Sequence, residues 1–171
     1  MRPEILDAVE DVMGPDILCY QHGTWFKEPE SGSYVSWHQD ATYYGMDPWA
    51  LLSAWVALTV VDDISGCIQV VPGSHKGGSY PVEYTERSEE NLLASGQNTL
   101  YEFDEADAVS LYLRPGEMSF HHVCLVHSSK PNHGTDRRMG LSAGYVPPHV
   151  KQTTELKATA MLVRGKDDYG H

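Results

Sequence analysis

The first apolar pattern along the chain has the spacing of an α-helix. Its apolar residues recur at intervals of three and four positions, which places them on one helical face. They are Ile5, Leu6, Val9, Val12 and Met13. Pro3 suits a first turn, and Gly14-Pro15 is a stop signal. The sequence therefore predicts one short amphipathic helix from Pro3 to Met13.

Beyond this helix the apolar pattern is that of β-strands. Short runs rich in Leu and Val are separated by turn signals that contain Asp, Pro and Gly. The runs are residues 51–61, 67–71, 108–113, 118–126 and 139–146. No helical pattern lies between them, which argues against βαβ units. The sequence predicts an all-β-dominated, double-stranded β-helix of the jelly-roll, cupin-like kind, with peripheral helical turns.

One long segment departs from the strand pattern. Residues 76–106 are polar and rich in Gly, Ser and Glu. A segment of this length is typical of a surface excursion that could act as a lid. We expect one helical turn within it, from Glu89 to Ala94.

Length and charge narrow the class of protein. The 171 residues fit one domain, 1–171. Twelve Lys and Arg against 24 Asp and Glu give a formal net charge of -12, which repels nucleic acids and anionic membrane surfaces. A small-molecule substrate is the expected partner, and the oligomeric state is not indicated.

The cysteines and the apolar runs indicate the compartment. Cys19, Cys67 and Cys124 are far apart and form no C-x-x-C pair, so neither a disulfide framework nor a zinc knuckle is expected. No apolar run approaches the roughly 18 residues that span a bilayer, and the first residues lack the apolar core of a signal peptide. We expect a cytoplasmic protein.

Two histidines and an aspartate offer a set of metal ligands. His38 and Asp40 form an H-x-D pair, and alternate residues of an extended strand share a face. His127 follows a remote strand-like run. Two histidines and one carboxylate form the facial triad that holds Fe(II) and leaves other positions open.

A structural interpretation of these histidines stays open on the residues alone. His38 could be an ordinary strand histidine, and seven other histidines compete with His127 for the distal role. Among these, His121 and His122 are adjacent in one predicted strand and face opposite ways. One of them could support the site, although both are typical strand residues.

Four separated segments share a recognisable order and spacing. They are residues 37–40, residues 54–58 with 66–76, residues 114–117, and residues 127–138. In this order they resemble the phytanoyl-CoA dioxygenase (PhyH) family of Fe(II)- and 2-oxoglutarate-dependent oxygenases. The resemblance extends from about Ile5 to the C-terminus.

The resemblance implies roles for individual residues. His38, Asp40 and His127 match the iron ligands, which are also the catalytic centre. Arg138 matches the arginine that binds the far carboxylate of 2-oxoglutarate. The remaining expected co-substrate contacts are Ser129, Trp55 and Gln39.

Physical arguments support one arginine over its neighbour. A guanidinium pairs with a carboxylate through two parallel hydrogen bonds. Because neighbours in a strand alternate faces, only one of Arg137 and Arg138 can enter the pocket. We expect Arg137 to be a solvated surface charge.

The presence of Asp40 bears on the reaction. Related halogenases lack this carboxylate and bind chloride in its place. The resemblance therefore implies hydroxylation of an unactivated C–H bond with O2, releasing succinate and CO2, rather than halogenation.

The chain departs from the family pattern at two places. Ile64-Ser65-Gly66 stands where most relatives have Glu-Asn before Gly, which alters a turn. Only 37 residues precede His38, so part of the usual N-terminal region is expected to be missing. Two other interpretations remain: a cupin-type metalloenzyme that does not use 2-oxoglutarate, and a non-catalytic fragment of such an oxygenase.

Overall fold

A computed structural model of the chain describes residues 2–86, 88–94, 96–155 and 158–171. The helices are α1 (Pro3–Met13) and α2 (Ala41–Tyr44), with 3₁₀ turns at Ser74–Gly77 and Glu105–Asp107. The strands are β1 (Ile17–Lys27), β2 (Val35–His38), β3 (Met46–Asp47), β4 (Leu52–Ala57), β5 (Ile68–Val70), β6 (Val82–Tyr84), β7 (Gln97–Thr99), β8 (Val109–Leu111), β9 (Met118–His122), β10 (His127–Ser129), β11 (Arg138–Val146), β12 (Lys151–Gln152) and β13 (Met161–Arg164).

Two antiparallel sheets form the body of the fold. The larger sheet has the strand order β13-β1-β11-β4-β9, and the smaller has the order β2-β10-β5-β8. Neighbouring strands in each sheet are distant along the chain, because the chain passes repeatedly from one sheet to the other. This is the jelly roll that the sequence predicts, and the fold class is confirmed.

The predicted helix is confirmed at both ends. Helix α1 covers Pro3–Met13 and ends at Gly14, whose backbone N–H donates to the Glu10 carbonyl. Leu6 and Val9 are its buried residues and pack in a cluster with residues of β1 and β4. The apolar stripe thus fixes α1 against the larger sheet.

The sequence pattern missed the strand that runs beside β11. Strand β1 pairs with β11 from Leu18 to Lys27, with an irregularity between Cys19 and Gln21. Polar residues and Gly23 interrupt the apolar alternation in the middle of β1, so no strand was predicted there. Pairing along nearly its whole length stabilises β1 instead.

Four of the five predicted strands are shorter than their apolar runs, and the difference is largest at residues 51–61 and 118–126. The run at residues 118–126 stops being a strand at His122, and His127 begins β10 in the other sheet. We expected His127 to end this run of one strand. It lies instead in the other sheet, after the chain has crossed over. The run at residues 51–61 is a strand only from Leu52 to Ala57.

The polar excursion has a different local structure from the one expected. The helical turn predicted for residues 89–94 is wrong, because these residues form bends, a turn and an isolated bridge. Strands β6 and β7 instead pair as a small sheet. Residues 87 and 95 of this segment lie outside the described residues.

Cys19, Cys67 and Cys124 are all buried free thiols. In the described part of the chain, no helix is long and apolar enough to cross a membrane.

Candidate metal centre and its cavity

The ends of three elements bring His38, Asp40 and His127 together. His38 ends β2, His127 begins β10, and these two residues are direct partners in the antiparallel pairing of the strands. Asp40 is the N-cap of α2 and has helical backbone angles, φ -59° and ψ -30°. The expected mechanism of convergence is therefore wrong: Asp40 reaches His38 through a strand-to-helix turn, not by sharing a strand face.

The two histidine rings are oriented by the same local contact. Nδ1 of His38 lies 2.9 Å from the Ser36 carbonyl oxygen, and Nδ1 of His127 lies 2.9 Å from the Leu125 carbonyl oxygen. A carbonyl only accepts, so Nδ1 carries the proton in each ring. The lone pair of each Nε2 is then free to bind a metal, as is usual for metal-ligating histidines.

The three side chains can offer their ligand atoms to one ion. Nε2 of His38 lies 3.6 Å from Oδ1 of Asp40, and Nε2 of His127 lies 3.9 Å from the same oxygen. One ligand atom from each residue lies within 4.8 Å of the others. Two imidazole nitrogens and one carboxylate oxygen suit Fe(II) with open positions.

The electrostatics of the site favour the protonation states that metal binding needs. Burial, and then the neighbouring His38, lower the pKa of His127 to about 3. Burial would raise the pKa of Asp40, but His121, His38 and His127 together hold it well below its usual range. At neutral pH His127 is therefore a neutral donor and Asp40 an anion.

The second oxygen of Asp40 has partners that the sequence did not identify. Oδ2 accepts a hydrogen bond of 2.9 Å from Oγ of Ser53 and lies 3.8 Å from Nε2 of His121. His121 was expected to be an ordinary strand residue with at most a supporting role. Its place beside Asp40 depends on the pairing of β4 with β9, which no local motif specifies.

The centre opens into a cavity of about 280 Å³. Most of the other lining residues are aromatic, aliphatic or small. They include Trp25, Val35, Tyr43, Tyr44, Trp55, Ile68, Leu92, Leu93, Ala94 and Ala143. Histidines aside, Asp40 and Arg138 are the ionisable lining side chains that carry charge at neutral pH among the described residues.

Arg138 is the first residue of β11 and enters the cavity, whereas Arg137, which precedes the strand, faces solvent, as expected. Arg138 is 3% exposed and lines the cavity, with one NH2 group donating to the Gly66 carbonyl at 3.0 Å. Its Nε is buried and has no hydrogen-bond partner among the residues that the structure describes. Arg137 is half exposed and pairs with Glu28 at 2.6 Å. A buried guanidinium with a free donor is suited to an anionic ligand.

Trp55 covers Arg138 because Gly140 leaves room for its ring. The Arg138 guanidinium carbon lies 5.2 Å from the centre of the Trp55 ring. A Cβ at position 140 would lie 1.9 Å from Cζ2 of Trp55, so any other residue there would displace the ring. Trp55 itself is 4% exposed and lines the cavity.

Ser129 lines the cavity and is bonded to a buried lysine that the sequence did not single out. Nζ of Lys27 lies 2.7 Å from Oγ of Ser129 and donates to the Ser129 carbonyl at 3.0 Å and to the Lys130 carbonyl. Burial, and then the adjacent Arg138, lower the pKa of Lys27 to about 6. Lys27 and Arg138 are cross-strand partners, so two basic groups adjoin at this end of the cavity.

Gln39 has a different place from the one expected. Its side chain is fully buried, and its amide nitrogen donates to the carbonyls of Gly78 and Cys124. Its amide oxygen accepts from the Tyr80 backbone N–H at 2.7 Å. Gln39 does not line the cavity; it holds the loop between β2 and α2 against the loop at residues 78–80.

The sequence of this chain is similar to one protein family and to individual proteins. The family described as Phytanoyl-CoA dioxygenase (PhyH) matches residues 1–140. The peroxisomal phytanoyl-CoA dioxygenase of Bos taurus is 32% identical over 149 residues, which cover 84% of this chain and 43% of that protein. A probable alpha-ketoglutarate-dependent hypophosphite dioxygenase of Stutzerimonas stutzeri is 32% identical over 142 residues, 83% of this chain and 49% of its own length.

Among solved structures, apo ThoJ, a non-heme monooxygenase, is similar throughout the chain. It superposes with a TM-score of 0.86 at 34% identity, covering 97% of this chain and 60% of that one. The chain thus spans less than half the length of the two curated relatives and about three fifths of ThoJ.

Because the pKa of Lys27 is lowered in the folded chain, we expect the free energy of unfolding to depend on pH. Between about pH 6 and 10.5 the unfolded chain holds a proton on Lys27 that the folded chain has released, so the free energy of unfolding rises with pH. Lys27→Met should remove this contribution and reduce the slope by up to about 1.4 kcal/mol per pH unit. Urea unfolding from about pH 7 to about pH 9 measures the slope.

Lys130→Met is the matched control, because Lys130 is a nearby but exposed lysine. It should leave the slope unchanged. Equal slopes in the Lys27→Met variant and the unmodified chain would show that Lys27 keeps its proton in the folded state.

Proposed function

Because this chain belongs to the phytanoyl-CoA dioxygenase (PhyH) family, we propose that it is an Fe(II)- and 2-oxoglutarate-dependent oxygenase. One observation carries the proposal. The convergent nitrogens of His38 and His127 and the Asp40 carboxylate lie in the same cavity as the buried guanidinium of Arg138. The cavity thus combines a site for a cation with a site for an anion.

Fe(II) fits the three proposed ligands. Their donor set is two neutral imidazoles and one carboxylate, and each imidazole is already oriented by its Nδ1–H. Asp40 brings the single negative charge that partly neutralises the ion. When bound, the iron activates O2 for oxidative decarboxylation of 2-oxoglutarate to succinate and CO2, coupled to oxidation of the substrate.

The other end of the cavity fits the far carboxylate of 2-oxoglutarate. Arg138 offers its unpaired Nε–H and an excess positive charge in a buried setting, where a charge-assisted hydrogen bond is strong. Ser129 and Trp55 line the same cavity and complete this subsite. Lys27 holds Ser129 in place from behind.

We assign the reaction as hydroxylation of a C–H bond in a small organic molecule. Asp40 occupies the position that halogenases leave open for chloride, which favours transfer of oxygen. The rest of the cavity wall, including Tyr43, Leu92 and Leu93, is uncharged and suits a substrate of low charge. The protein residues orient the reactants and exclude water from them.

The proposed function first predicts an absorption signal from the assembled metal centre. Adding Fe(II) and then 2-oxoglutarate without oxygen should produce a visible charge-transfer band, because 2-oxoglutarate chelates the iron. His38→Ala and His127→Ala should each abolish the band by removing a ligand. His133→Ala, which alters a histidine that is 66% exposed, should retain it. If the folded, unmodified chain gives no band, the proposal fails.

The second prediction separates the two arginines. Arg138→Gln should weaken 2-oxoglutarate binding at least about tenfold, the effect of losing a charge-assisted hydrogen bond of about 1.5–3 kcal/mol. Arg137→Gln makes the same chemical change on the exposed face and should leave the affinity unchanged. Following the band at increasing 2-oxoglutarate concentration gives both affinities, and equal losses would remove Arg138 from the subsite.

The third prediction concerns the product. Small molecules of low charge that stimulate succinate release should gain one oxygen atom, as seen by mass spectrometry, even when chloride is present. A chlorinated product would contradict the role assigned to Asp40. A product of unchanged mass would show a different oxidation or an epimerisation.

A further inference from the structure

The two oxygens of Asp40 face different partners. Oδ1 is directed towards the Nε2 atoms of His38 and His127, at 3.6 and 3.9 Å. Oδ2 accepts from Oγ of Ser53 at 2.9 Å and lies 3.8 Å from Nε2 of His121. One oxygen therefore faces the proposed metal position, while the other is held by the protein.

Ser53 and His121 belong to a rigid part of the fold. They are direct cross-strand partners in β4 and β9, so both project from the same face of the larger sheet. Ser53 is 5% exposed and His121 is 7% exposed. Both residues lie in paired strands and not in a loop, so their positions beside the Asp40 carboxylate are fixed.

His121 is also held from its other side. Its ring centre lies 4.8 Å from that of His127, so it cannot swing towards β10 without displacing that residue. Its Nδ1 is buried and, within the described part of the chain, has no hydrogen-bond partner. Its polar contact at this centre is therefore the one that it makes through Nε2 with Asp40.

We propose that Ser53, through its hydrogen bond to Oδ2 of Asp40, and His121, whose ring packs beside that oxygen, are positioning residues that present Oδ1 alone to the metal. This inference rests on the metal centre of the proposed function and adds a pair of residues to it. With Oδ2 held, Asp40 contributes one ligand atom and leaves more positions free for the co-substrates. Without this pair, the carboxylate can rotate and bind the ion through both oxygens.

The expected effect follows from the hydrogen bond. Ser53→Ala removes the donor to Oδ2 and leaves the volume of the site nearly unchanged. Loss of a partner that orients a metal ligand typically weakens metal binding about 10- to 100-fold. Ser53→Thr keeps the hydroxyl, and its branched side chain suits a strand, so it should restore most of the affinity.

The test uses Co(II), which replaces Fe(II) without oxidation and absorbs visible light. Titration of the full chain measures the affinity and the spectrum together, in the absence of 2-oxoglutarate. Ser53→Ala should weaken binding at least about tenfold. It should also change the visible spectrum of the saturated complex, because a second carboxylate oxygen that binds Co(II) alters the set of ligands around the ion.

Ser119→Ala is the matched control. Ser119 lies on β9, two positions before His121, and its Oγ is buried without a hydrogen-bond partner. The same loss of a buried hydroxyl should there leave both affinity and spectrum unchanged. His121→Phe fills the space of the ring without Nε2 and should weaken binding in the same direction as Ser53→Ala.

The outcomes separate this inference from the proposed function. If the unmodified, folded chain binds no Co(II), the metal centre fails and this inference with it. If the unmodified chain binds Co(II) and the Ser53→Ala complex has the same affinity and spectrum, only the positioning role is overturned. An equal loss in Ser119→Ala and Ser53→Ala would also overturn it, by showing a general effect of repacking.

Discussion

The structure depends on the placement of one carboxylate in a half-open, mostly apolar cavity. The Asp40 side chain is 16% exposed, and burying a carboxylate is costly unless donors or cations surround it. Ser53 supplies a hydrogen-bond donor here, and three imidazole rings from both sheets surround the carboxylate, of which those of His38 and His127 turn a lone pair towards the ion site. The two layers of the jelly roll must therefore meet in one register for this charge to be tolerated. The cation that completes the balance belongs at the same place.

The fold could be predicted where local pattern and tertiary packing agree. Both ends of α1 were predicted at the correct residue, since helical spacing, Pro3 and Gly14 all indicate the same ends. Strand β1 was missed because Gln21, His22 and Gly23 break its apolar alternation, and pairing with β11 stabilises it instead. The helical turn expected at residues 89–94 was wrong because polar composition does not separate a helical turn from bends.

The site could be predicted only in part, for the same reason. The residues His38, Asp40, His127 and Arg138 were found by their motifs, and the structure brings them to one cavity. The strand geometry assumed for Asp40 was wrong because β2 ends at His38 and a helix begins. Lys27, Ser53 and His121 carry no motif. They reach the site through strand register, which a single sequence does not specify. Gln39 was expected to contact the co-substrate because it is adjacent in sequence to two proposed ligands. Its position in the sequence does not determine which groups its side-chain amide bonds.

The orienting contacts of the two histidines have a consequence for how this centre tolerates change. Each Nδ1–H is received by a main-chain oxygen only two residues earlier, at Ser36 and at Leu125. No replacement of those two side chains can delete the acceptor, since every amino acid supplies the same carbonyl. Side-chain substitutions at Ser36 and Leu125 therefore leave in place the hydrogen bonds that orient the two imidazole rings.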